Sequence, residues 1–112
     1  MSYSEISKKL AEYREQIAAV RAKMREARAA AEPQEVEDYA LSTSEGMARL
    51  SALFGAKDDL IVIHNMGASC RYCTLWADGF NGVYPHLADR AAFVVATPDA
   101  PTAQKKFAES RG

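Results

Sequence analysis

The sequence predicts an α/β protein in which a strand, a crossover helix and a second, parallel strand follow a long amphipathic N-terminal helix. Three observations carry this. Apolar residues recur at helical spacing from Ile6 to Ala31, two β-branched runs lie in LIVIHNM and AAFVVAT, and a second amphipathic pattern separates those runs. At 112 residues the chain is expected to form one domain large enough to bury a core. Its 14 Lys and Arg against 15 Asp and Glu give a formal net charge of -1, without the basic excess that attracts phosphate backbones, so nucleic acid is not an expected partner. The N-terminus interleaves charged and apolar residues, and no stretch approaches the ~20 apolar residues of a membrane span. A soluble, cytoplasmic protein with no membrane contact is the expectation.

In the first element Ile6, Leu10, Tyr13, Ile17, Val20, Met24, Ala27 and Ala31 lay one stripe along a helix. Ser2 and Glu5 have the spacing of a capping box, and Pro33 ends the helix, which places it over Ser4–Ala31. About 28 residues at 1.5 Å each make a rod of roughly 40 Å, against a radius of gyration of about 13 Å for a domain of this length. Part of the stripe must overhang, so residues 1–32 read either as a helix draped over its own domain or, the favoured reading, as an element pairing with a second copy. Residues 33–112 then form the α/β domain.

That domain opens on a polar connector with a short edge strand at Tyr39–Leu41, followed by a short helix carrying Met47, Leu50, Leu53 and Phe54 on one face and ending at Gly55. Leu60–Ile63 reads as a strand covered on both faces at the centre of the sheet. The crossover helix carries Leu75, Trp76, Phe80, Val83, Tyr84 and Leu87, with Pro85 expected to kink or divide it. After the strand in AAFVVAT, Asp99 and Pro101 mark the start of a last helix, and Gly112 suits its end.

The two cysteines, Cys70 and Cys73, sit at the junction of the first buried strand and the crossover helix. Unpaired amides and the positive end of the helix dipole converge there and favour thiolate over thiol. That identifies Cys70 as the attacking sulfur and Cys73, one turn on, as the resolving one. Arg71 adds positive charge that stabilises the reduced pair, and Tyr72 and Trp76 either border a substrate groove or belong to the core. Zinc is the main rival, because His86 follows Cys73 at a finger-like distance and His64 offers a fourth ligand. The second histidine of that pattern is missing and His64 lies in an apolar strand, so no metal or other cofactor is expected. A buried, idle cysteine pair is the remaining reading. His64 is expected as a neutral, packed ring, His86 as a surface residue, and Asp78 as a local hydrogen-bonding residue. A peroxidase of peroxiredoxin type ranks lower, since Gly67 stands where such enzymes place a threonine.

The stretches LIVIHNM, CRYCTLWADGFNG, AAFVVAT and FAESRG resemble a bacterial thioredoxin-like family of unknown function, often labelled dithiol-disulfide oxidoreductase. The resemblance runs from about Tyr39 to Gly112 and implies a thioredoxin-like fold with the redox pair on Cys70 and Cys73. It implies a protein or small-molecule thiol or disulfide as partner. A thioredoxin-like sheet normally continues past this last helix with an antiparallel hairpin and a cis-proline loop, so the core is expected to be truncated after that helix. The sheet edge left open offers a second route to a homodimer.

Overall fold

The computed structural model describes all residues from Met1 to Gly112, and the chain divides into two compact units, Met1–Val36 and Glu37–Gly112. The first unit is the helix α1, Tyr3–Ala29. The Ser2 hydroxyl accepts the Glu5 amide at 3.2 Å and the Glu5 carboxylate accepts the Ser2 amide at 2.6 Å, which completes the expected capping box. No residue of α1 is buried, and the apolar stripe from Ile6 to Met24 lies exposed.

The second unit is mixed α/β. It opens on a hairpin of β1, Ala40–Thr43, and β2, Gly46–Arg49, paired antiparallel with Thr43 opposite Gly46. The Thr43 hydroxyl accepts the Glu45 amide and donates to the Gly46 carbonyl, closing the turn, and Gly46 takes a φ of 109° that side chains resist. Here the sequence expectation needs correction. Met47 belongs to β2, and the expected short helix shrinks to a single 3-10 segment, Leu50–Phe54, that does end at Gly55. Asp38 explains part of this, because its carboxylate takes the Ser51 amide at 2.8 Å and the Ser51 hydroxyl at 2.7 Å, tying the strand's approach to the 3-10 turn. Those two bonds hold the Asp38 carboxyl below its ordinary pKa.

A βαβ unit follows: β3 at Leu60–His64, α2 at Arg71–Arg90, and β4 at Ala92–Ala96. The strands pair in parallel, with Leu60 opposite Ala92 and His64 opposite Ala96, as the strand, helix, strand spacing predicts. α2 covers one face through Phe80 and Tyr84, whose ring centroids lie 5.4 and 5.9 Å from that of Phe93. The strand β3 is not the centre of a sheet, because it has β4 as its one neighbour, and Val62 and His64 are exposed. His64 is therefore not the packed ring that its apolar surroundings in sequence suggest. Ala91 is the one buried hydrophobic residue, so the expected core is thin: a sheet of two strands is too narrow for the elements around it to enclose a large side chain on all sides.

Pro85 neither ends nor divides α2, which runs unbroken through it. Proline withdraws one amide from the ladder, but this stretch of the helix is exposed, so the carbonyl left without a partner stays open to water. The last helix, α3, spans Pro101–Arg111 with Pro101 in its first turn. It is tied to α2 by Arg111, which bonds both oxygens of Asp78 at 3.0 and 2.8 Å, and by Asn81, which donates to the Arg111 carbonyl. Asp78 is thus a tether between helices rather than a local hydrogen-bonding residue. No helix is long and apolar enough to cross a membrane.

Candidate functional site

The β3–α2 loop ends on Cys70, which takes extended backbone angles and becomes the N-cap of α2. Its sulfur occupies the place of a capping oxygen and accepts the Cys73 amide at 3.2 Å. Cys73 stands one turn further on and accepts the Met66 amide at 3.4 Å. Both cysteines are free thiols and partly exposed.

Two identical residues are driven in opposite directions. The Cys73 side chain donates to Cys70 and, with the amides of Cys73 and Tyr72, holds the Cys70 pKa below the ordinary thiol value. The same contact raises Cys73, outweighing the Met66 amide that lowers it. When the pair loses one proton, the charge therefore settles on Cys70 and the remaining proton on Cys73. Arg71 lies exposed between them and is not among the causes that lower Cys70, so the charge is held by hydrogen bonds rather than by that guanidinium. Tyr72 and Trp76 are 78% and 65% exposed, which takes them out of the core.

The loop in front of Cys70 is fixed by residues whose part sequence reasoning missed. Asn65 accepts the Gly67 amide at 2.8 Å, Asp99 accepts the Ala68 amide at 2.9 Å, and the Cys70 amide donates to the Gly67 carbonyl at 3.0 Å. Gly67 has a φ of 115°, and a Cβ there would stand 3.1 Å from an Asp99 carboxylate oxygen. Asp99 is itself held, its amide donating to the Thr97 hydroxyl and its carbonyl accepting from the Gln104 side-chain Nε2. Its residue type and the nearby Pro101 mark it as a helix start, but its carboxylate reaches across to the cysteine loop instead, and Ala100 is the cap residue of α3. A cavity of about 240 Å³ between α2, β4 and α3 is lined by Phe80, Phe93 and Phe107 and touched by Asn65 and Ala68. Neither cysteine lines it.

No group of three or more His, Cys, Asp and Glu side chains gathers at a point that could hold a metal ion, and neither His64 nor His86 joins the cysteines. A family model matches residues 3–112, nearly the whole chain. The chain belongs to the family described as Bacterial protein of unknown function (DUF899). No curated protein and no solved structure matches it. Membership in DUF899 assigns no chemistry, and the geometry at the cysteines is what a functional reading has to rest on.

Proposed function

We propose that this protein is a thiol–disulfide oxidoreductase built on a thioredoxin-like βαβ unit, with Cys70 attacking and Cys73 resolving. One observation carries the reading: the Cys70 sulfur caps α2 and is lowered in pKa by the neighbour that would complete the reaction. In the reductive direction the Cys70 thiolate attacks one sulfur of a substrate disulfide, forming a mixed disulfide and releasing the first substrate sulfur as thiolate. Cys73 then gives up its proton and attacks the Cys70 sulfur, the second substrate thiol leaves, and a Cys70–Cys73 disulfide remains. The substrate gains two electrons and the protein loses two; an external dithiol returns the pair to its reduced form. The same atoms run the exchange backwards to oxidise a dithiol. The partly exposed pair, set in a surface that also presents Tyr72 and Trp76, suits a protein or small-molecule disulfide. The test is trapping. Cys73→Ser is expected to accumulate a stable mixed disulfide on Cys70 when offered a disulfide substrate, and Cys70→Ser to form none; equal adducts in both variants would end this reading.

A further inference from the structure

From α1 and its charges we infer that this helix docks against an apolar helix of another protein whose seam is flanked by acidic residues. The inference stands apart from the cysteine chemistry. The apolar stripe keeps a strict seven-residue repeat, with Leu10, Ile17 and Met24 in one row and Ile6, Tyr13 and Val20 in the other. All six are between 42 and 57% exposed. Two rows repeating every seven residues form the narrow seam of a coiled coil, not the wide apolar arc with which a helix beds into lipid.

The edges of that seam say what covers it. On one side stand Ser7, Arg14, Arg21 and Arg28, on the other Lys9, Gln16 and Lys23, and no acidic residue occupies either edge. The acidic residues of α1, Glu5, Glu12, Glu15 and Glu26, all fall at positions away from the seam. Neither ion pair of the protein, Arg90–Asp59 and Arg111–Asp78, involves α1, so its basic flanks are unpaired. In a parallel pair of copies Lys9 would meet Arg14 of the other chain and Lys23 would meet Arg28, while an antiparallel pair would set arginine against arginine and lysine against lysine. Like charges at these positions oppose self-pairing, and acidic flanks on a partner turn each of the same contacts into an attraction. The self-association that the stripe alone suggests is thereby disfavoured.

The test uses the full-length protein and two synthetic helical peptides of equal length, both apolar along the seam, one with Glu and the other with Lys at the flanking positions. The acidic peptide is expected to bind, more weakly as salt rises, and Arg14→Glu with Arg21→Glu is expected to weaken it by about tenfold or more. The milder Arg14→Gln and Arg21→Gln pair, with helicity checked by circular dichroism, should weaken it in the same direction. Sedimentation should show a monomer at low salt. A dimer at low salt, equal binding of both peptides, binding unmoved by the charge changes, or binding to anionic phosphatidylglycerol vesicles in place of the acidic peptide would each overturn the inference.

Discussion

The helices α1 and α2 begin alike and end up with different work. At the head of α1 the Ser2 side chain accepts the amide three residues on at 3.2 Å, and at the head of α2 the Cys70 side chain does the same at the same distance. Where α1 carries Glu5 at the third position, α2 carries Cys73. Glu5 answers Ser2 by accepting its amide, so that cap is closed on itself and can only stabilise. Cys73 answers Cys70 with a proton, so that cap holds an ionisable sulfur beside a second thiol. One local geometry gives a cap of oxygen at α1 and an ionisable cap of sulfur at α2. The difference lies in the atom, not in the backbone.

Substitutions can break the comparison at each end. The largest effect is expected from Cys70→Ser, which keeps a good capping residue and so leaves α2 intact while abolishing disulfide exchange in an assay of insulin or small-disulfide reduction. If Cys70→Ser keeps exchange activity, the sulfur at the cap is not the nucleophile. Gly67→Ala comes next. Its φ of 115° and the 3.1 Å approach to Asp99 should cost about 1–3 kcal/mol in urea unfolding and loosen the loop that presents Cys70. An unchanged midpoint would mean that the loop relaxes without strain. The smallest change belongs to the oxygen cap, where Ser2→Ala should cost about 1 kcal/mol of α1 helicity, followed by circular dichroism on heating, with no effect on thiol chemistry.

Much of this was legible in the letters because it is local. The α1 cap is written as Ser and Glu three apart, the parallel strands as β-branched runs on either side of an amphipathic pattern, and the place of the two cysteines as Cys-x-x-Cys at the strand-to-helix junction. What stayed hidden depends on contacts distant in sequence. Asp99 looks like a helix start until its carboxylate is seen 2.9 Å from the Ala68 amide, thirty-one residues away. The strand β2 hides in GMARL, which lacks the β-branched run that marks β3, and is made by pairing with β1 rather than by its own preference. Pro85 does not divide α2, although a proline inside a helix removes an amide from the ladder. The Cys73 side chain belongs with the hidden part: the helix amides are legible as a source of thiolate, but the hydrogen bond from Cys73 that lowers Cys70 is not.

The central claim is the uneven sharing of one proton between two thiols. The pH dependence of iodoacetamide alkylation, followed site by site by peptide mass spectrometry, tests it most directly. Because the Cys70 pKa is lowered, its thiolate forms as the pH rises through a value below that of an ordinary thiol, and its rate should level off above that point; Cys73, raised, should begin to react only at higher pH. Two coincident profiles with the midpoint of an unperturbed cysteine, or Cys73 reacting first, would contradict the account.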